Sequence, residues 1–110
     1  MESKEFKTAE VMSFMSKVEY SAEGIVSKRV IQKEKGNVSL FAFDKDQKLS
    51  EHSAPFDAMV QVIEGKAEIV IDKKPYVVNA GQSIIMPANI PHAVNALEKF
   101  KMLLTMIKSE

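Results

Sequence analysis

LSEHSAPFDAMVQVIEG, residues 49–65, and AGQSIIMPANIPHAVN, residues 80–95, are the two stretches that decide the fold of this chain. They contain the only two histidines of its 110 residues, His52 and His92. In each stretch, short apolar runs end at glycine or proline, the residues that interrupt strands and form turns. The sequence therefore predicts a β-structure whose connections bring two distant imidazoles to one place.

Short strand patterns continue on both sides of these stretches. Runs of β-branched, aromatic and other apolar residues alternate with glycine, proline and charged turns, and they indicate about eight strands. The runs lie at residues 25–32, 38–43, 58–64, 67–71, 76–79, 83–86, 92–96 and 100–107. Many short strands separated by regular turn signals predict an all-β sandwich or jelly-roll barrel, and 110 residues suffice for one such domain.

One segment near the amino terminus has a different pattern. Val11, Phe14, Met15 and Val18 recur at helical spacing, and Thr8 is a suitable N-cap residue. The sequence therefore predicts a short helix over residues 8–18, with an apolar face that packs on the barrel or on a second subunit.

Composition and charge exclude several functional classes. Cysteine is absent, which excludes disulfides, thiolate zinc sites and cysteine nucleophiles. Fifteen basic and fifteen acidic residues cancel, and no basic stripe indicates a nucleic-acid partner. The amino terminus has no signal-peptide core, and no apolar run reaches the roughly 20 residues of a membrane span. A cytoplasmic protein without a nucleic-acid or membrane partner is therefore expected.

The spacing of glycine, proline and histidine resembles that of the cupin superfamily of small jelly-roll barrels. The first cupin motif, G-x5-H-x-H-x3,4-E-x6-G, aligns on His52 and Gly65, and the second, G-x5-P-x-G-x2-H-x3-N, aligns on Gly81, Pro87 and His92. The resemblance implies a double-stranded β-helix of the small, single-domain cupin 2 conserved-barrel type. Its barrel would span residues 37–108, after an N-terminal helix and leading strand at residues 1–36.

The metal-ligand set that this resemblance implies is incomplete. Ala54 occupies the position of the second histidine and Ala58 that of the glutamate. Asn89 replaces a glycine of the second motif, which is a mild change because asparagine tolerates the left-handed backbone conformation. His52 and His92 would thus be two of four ligands for a divalent manganese, iron, nickel or zinc ion.

Three interpretations of His52 and His92 follow. They bind a divalent metal whose remaining positions are filled by water or substrate; or they serve a metal-free pocket as hydrogen-bonding groups or a general acid or base; or their role is structural only. Catalytic zinc usually has three protein ligands and non-haem iron two histidines and a carboxylate, so two histidines alone form an incomplete site. Whether the chain is an enzyme is left open by these alternatives.

Apolar side chains of the barrel are candidates for the wall of a ligand pocket. Phe41 and Phe43 share one strand face, with Leu40 and Ala42 on the other. We therefore expect a small molecule to bind in the barrel, and the alternative is a metal-dependent enzyme of the dioxygenase or isomerase type. The candidate pocket residues are His52, His92, Phe41, Phe43, Phe56 and Met86.

A homodimer is also expected. The edge strands of a small barrel invite pairing with another chain. The resemblance implies a dimer that exchanges or abuts its N-terminal strands, and the apolar face of residues 11–18 is expected to contribute.

Overall fold

Nine β-strands form two antiparallel sheets in the computed structural model, which describes residues 5–108. The strands are β1 Ile25–Lys33, β2 Gly36–Phe43, β3 Lys48–His52, β4 Asp57–Glu64, β5 Lys66–Ile71, β6 Lys74–Asn79, β7 Ser83–Met86, β8 His92–Ala96 and β9 Phe100–Ile107. Sheet A has the strand order β1-β2-β9-β4-β7, and sheet B has the order β3-β8-β5-β6. The predicted all-β barrel is thereby confirmed.

The strand pattern of the sequence missed one strand. Each of the eight predicted runs corresponds to a strand, and β3, Lys48–His52, is the ninth. Its sequence, KLSEH, has a single large aliphatic residue, so no apolar run marks it. The strand forms because it pairs with β8 at the edge of sheet B.

The predicted helix over residues 8–18 is wrong. The segment contains only a 3-10 turn, Phe14–Ser16. Ala9 has a positive φ of 57°, which a right-handed helix does not accommodate. The apolar side chains do not form one buried face either, since Val11 is fully exposed whereas Val18 is fully buried. The described chain otherwise has no helix, and none in residues 5–108 is long and apolar enough to cross a membrane.

Three residues at motif positions, Gly65, Gly81 and Asn89, have positive φ angles. Gly65 has φ 84° and Gly81 has φ 90°, and Asn89 substitutes for glycine at φ 68°. At Gly65 an added Cβ would collide with the backbone oxygen of Lys99 and with Phe100. Only glycine fits there, because both the backbone angle and the available space exclude a side chain.

The side chains of sheet A point alternately into the barrel and away from it. The inner core lies between the sheets and contains Phe43, Ala58, Val60, Val62, Ala67, Ile69, Val78, Met86, Val94, Ala96, Phe100 and Met102. The outer cluster lies on the other face of sheet A and contains Val18, Leu40 and Ala42, with Phe6, Phe14, Tyr20, Val26, Val30, Ile63 and Leu103 packed against them. Residues 5–24, here termed the N-terminal segment, therefore cover part of the outer face of sheet A, whereas the inner core fills the barrel.

Candidate functional site

A one-residue bulge in β3 places His52 beside His92. Leu49 pairs with Val94, and the next pair along the two strands is His52 with His92. Leu49 packs against the inner core, so strict alternation would have put Glu51 on the inner face opposite His92. Since the bulge adds one residue to β3, His52 takes that position instead.

The two imidazoles are in direct contact. Their ring centroids lie 4.5 Å apart at an interplanar angle of 66°, so one ring packs edge-on against the other. His92 is buried, with 7% of its surface exposed, and His52 is exposed. The pair therefore runs from the barrel interior, at His92, to the solvent at His52.

The hydrogen bonds of both rings define their tautomer. The Nδ1 of His52 lies 2.7 Å from the carbonyl oxygen of Ser50, and the Nδ1 of His92 lies 3.1 Å from that of Ile90. A carbonyl only accepts hydrogen bonds, so Nδ1 carries the hydrogen in each ring. In the uncharged imidazole Nε2 is then an acceptor, and the pair directs two acceptor nitrogens away from its own backbone.

Burial keeps His92 uncharged at neutral pH. Removal of the ring from water lowers the pKa of His92, the hydrogen bond to Ile90 opposes that effect, and the charge of His52 lowers the pKa further. No buried side-chain nitrogen or oxygen of residues 5–108 lacks a hydrogen-bond partner. Because only Nδ1 of His92 is hydrogen-bonded within that part of the chain, its Nε2 retains contact with solvent.

The donor set only partly fits a resident metal ion. A metal-binding histidine commonly donates its other ring N–H to a carbonyl, as both rings do here. A third protein ligand is missing, because residues 5–108 contain no group of three histidine, cysteine or acidic side chains able to hold a metal. The two carboxylates nearest in sequence to His52 have other partners: Glu51 pairs with Lys73 at 3.2 Å, and Asp57 accepts a hydrogen bond from the backbone of Ala88.

The structure divides the candidate pocket residues between several environments. Phe43 is fully buried and stacks on Phe100 with ring centroids 4.5 Å apart, so it is a core residue. Phe41 is half-buried, packs against the inner core and lies 5.9 Å from the Phe43 ring. Met86 is buried in the same core. Phe56 is half-buried in the connection between β3 and β4, outside both hydrophobic clusters of the described residues.

A second polar cluster, on the outer face of sheet A, was not predicted. The hydroxyl of Tyr20 donates to Glu64 at 2.5 Å, and the Nζ of Lys101 donates to the carbonyl of Met15 at 2.7 Å and lies 3.8 Å from Glu64. Burial, and then the hydrogen bond to Glu64 and its charge, raise the pKa of Tyr20. The one sequence signal was a lysine between apolar residues in the last strand, next to Phe100.

Comparison with known proteins identifies one matching family and several similar solved structures. Residues 39–108 match the family model described as Cupin domain, Cupin_2. A conserved protein of unknown function from Streptococcus pyogenes is 39% identical and superposes with a TM-score of 0.92, over 97% of this chain and 94% of that one. A Cupin 2 conserved barrel domain protein from Leptotrichia buccalis is 43% identical with a TM-score of 0.81, over 83% of this chain and 44% of that one.

A more distant structure has the same fold. A cupin superfamily protein from Desulfitobacterium hafniense is 23% identical, with a TM-score of 0.89 over 96% of this chain and 97% of that one. At this identity the likeness concerns the fold alone. No curated protein matches the chain.

Proposed function

Since the chain belongs to the Cupin_2 family of cupin domains, we propose that it binds a small hydroxylated molecule in its barrel, with His52 and His92 as the polar groups that hold it. The single observation that carries this proposal is the pair of imidazoles in contact at 4.5 Å, one buried and one exposed. Both rings use Nδ1 for their own backbone, so both Nε2 atoms are free to accept hydrogen bonds from a ligand.

The chemistry of the pair selects the ligand. His92 is uncharged at neutral pH because burial lowers its pKa. Its Nε2 therefore accepts a hydrogen bond and does not donate one, so a hydroxyl or amine is favoured over a carboxylate. Apolar inner-core side chains, among them Met86 and the half-buried Phe41, suit the hydrocarbon face of such a molecule. Polyols and sugars combine hydroxyl groups with such a face.

Ligand screening by thermal shift tests this proposal. At neutral pH we expect polyols or monosaccharides to raise the melting temperature and small carboxylates to have little effect. In acid, once His92 is protonated and its Nε2 becomes a donor, carboxylates should begin to stabilise the protein; the lowered pKa of His92 places this change below the ordinary histidine range. His92→Gln should abolish both responses, whereas Glu51→Gln, a neighbouring change at a carboxylate that pairs with Lys73, should preserve them. A protein that no compound stabilises at either pH would contradict the proposal.

The second candidate function is a divalent-metal enzyme of the dioxygenase or isomerase type, and the tautomer of the two histidines favours it. Each ring has its N–H on a carbonyl and its other nitrogen free, which is the arrangement of a metal-binding histidine. A bound ion would supply Lewis-acid chemistry, and His52 and His92 would hold it. Because the described chain offers no third ligand, we derive no reaction from such an ion.

Metal analysis separates the two candidates. The chain should be purified without a histidine tag and incubated with manganese, iron, nickel and zinc, and bound metal measured by mass spectrometry. The binding proposal expects no stoichiometric metal. One equivalent that is lost in both His52→Ala and His92→Ala would instead support the enzyme.

A further inference from the structure

The N-terminal segment covers only one half of the outer face of sheet A. The other half is here termed the distal face. Cross-strand pairing aligns an outward row across all five strands there, because Ile31 pairs with Val38, Val38 with Thr105, Thr105 with Met59 and Met59 with Ile85. These residues alternate with inner-core positions and lie outside the outer cluster. The sheet therefore has an apolar outward row beyond the part that the N-terminal segment covers.

The two ends of the distal face differ in shape. At the β1 end, a shallow hollow of about 270 Å³ is lined mainly by carbon, with Ile31, Val38, Thr105 and Ile107 among its residues. At the β7 end, Ile85 projects with 63% of its surface exposed. The hollow at the β1 end is therefore apolar, and so is the Ile85 side chain that projects at the β7 end.

The distal face carries opposite charges on the two sides of β9. In the row next to the apolar one, Lys33 pairs with Gly36 at the β1 end, Gly36 pairs with Ile107, and Ile107 pairs with Asp57 on β4. Lys33 and Asp57 are both exposed. The distal face therefore has a cation beside its hollow and a carboxylate towards the end that bears Ile85.

We propose that a second copy of the chain docks on the distal face, related to the first by a two-fold axis that runs along β9. This rotation places the β7 end of each copy over the β1 end of the other. Ile85 of each copy then enters the hollow of the other, and Asp57 of each copy lies over β2 of the other, one strand from Lys33 on β1. Such self-complementarity is the requirement of an isologous interface. The expected homodimer thus forms through a sheet face, and not through edge strands or residues 11–18.

The oligomeric state of the intact chain, measured by sedimentation velocity over a concentration series, tests this arrangement. We expect a reversible dimer, and Ile85→Glu should weaken it by at least about tenfold, since the substitution removes the apolar side chain that fills the hollow and the carboxylate would have to leave water for a surface lined mainly by carbon. The matched control is Val77→Glu. Val77 is 55% exposed and lies on β6 of the other sheet, so its substitution should leave the dimer unchanged.

Charge reversal tests the orientation of the two copies. Lys33→Glu should weaken the dimer several-fold because it opposes Asp57, and the added change Asp57→Lys should restore it. Circular dichroism confirms that each variant is folded. A monomer at all concentrations would overturn the proposal, as would a dimer that tolerates Ile85→Glu. A dimer that Val77→Glu disrupts equally would assign the interface to the β6 edge and would also overturn it.

Discussion

The two polar clusters of the molecule differ in how completely the protein satisfies them. In the outer network, Tyr20 donates to Glu64, and Lys101 donates to Met15 and lies beside the same carboxylate. In the inner pair, His52 and His92 contact each other, but each uses only Nδ1 for a hydrogen bond within the described chain. A network whose groups all have protein partners holds the fold together, whereas a pair with one free nitrogen on each ring is suited to a ligand.

Adding the two missing metal ligands beside His52 and His92 should produce the largest change in stability. Ala58 is buried, with 3% of its surface exposed, so Ala58→Glu, combined with Ala54→His, places an unpaired carboxylate in the barrel. We expect the metal-free double variant to lose about 3 kcal/mol of unfolding free energy, because a buried charge without a partner is costly. Urea denaturation measures the loss.

Metal should then recover that stability. The resemblance places residues 54 and 58 at the two missing ligand positions, so the double variant should bind one equivalent of zinc or manganese and regain stability in its presence. The matched control is the same double variant with His92→Gln, in which metal should have no such effect. A double variant that is as stable as the parent, or that ignores metal, would show that residue 58 does not face the histidines.

Removing the ammonium group of Lys101 from the outer network should have the next largest effect on stability. Lys101→Met retains the aliphatic packing of a side chain that is only 10% exposed, but it removes the donor to Met15 and the cation beside Glu64. We expect a loss of about 2 kcal/mol, since the carbonyl of Met15 loses its donor and Glu64 keeps only the hydrogen bond from Tyr20 without the cation beside it. Lys99→Met is the control, because Lys99 also lies over the Tyr20 ring but is exposed.

The outcome distinguishes structural from functional roles. Lys101→Met should leave the ligand response in the barrel unchanged, because the network lies on the opposite face of sheet A from the inner core. Equal losses of stability in the Lys99 and Lys101 variants would indicate that general charge, and not the specific contacts of Lys101, stabilises the N-terminal segment.

Substitution of Tyr20 in the outer network should have a smaller effect on stability, and this effect should depend on pH. Tyr20→Phe removes one hydrogen bond, at a cost of about 1 kcal/mol near neutral pH. The pKa of Tyr20 is raised in the folded state, chiefly by burial and then by Glu64. The unfolded chain therefore loses this proton first, and the parent should lose stability as the pH rises above about 10. Urea denaturation at neutral and alkaline pH should show a weaker alkaline loss for the variant.

The fold was predictable because its signals are local. Strand runs ending at glycine and proline, together with the positions of Gly65, Gly81 and Pro87, define the barrel without knowledge of any long-range contact. The predicted helix failed because apolar spacing reports a period and does not report the φ of Ala9, which breaks the helix. Strand β3 was missed because pairing with β8 forms it, and no apolar run of its own marks it.

The candidate site was predictable only in part. The convergence of His52 and His92 followed from their spacing around the barrel motifs, and the two rings do lie together. The bulge that turns His52 inward in place of Glu51 depends on the register with β8, which the sequence does not specify. The only local signal of the outer network was Lys101 between apolar residues of the last strand. That signal did not identify its partners, because Tyr20 and Glu64 belong to other segments, which meet Lys101 only when the N-terminal segment packs on sheet A.

The smallest expected effect concerns the coupling between the two histidines. His52→Gln removes a group whose charge lowers the pKa of His92, so the pKa of His92 should rise toward its ordinary value. The rise should be small, because burial is the larger cause and remains in the variant. An NMR titration of the His92 ring measures it directly, and Glu51→Gln is the control, since this carboxylate pairs with Lys73 instead.

The same coupling contributes a small part of the stability that the protein loses in acid. Because the folded-state pKa of His92 is lowered, the unfolded chain binds this proton more readily, and the contribution of His92 is present above about pH 6.5 and is lost as the pH falls. His52→Gln should reduce that acid-dependent loss by a few tenths of a kcal/mol, because the charged ring no longer faces a second imidazolium. If the pKa of His92 is unchanged or falls in this variant, the two rings do not share an electrostatic environment, and the inner pair could not act on a ligand as one site.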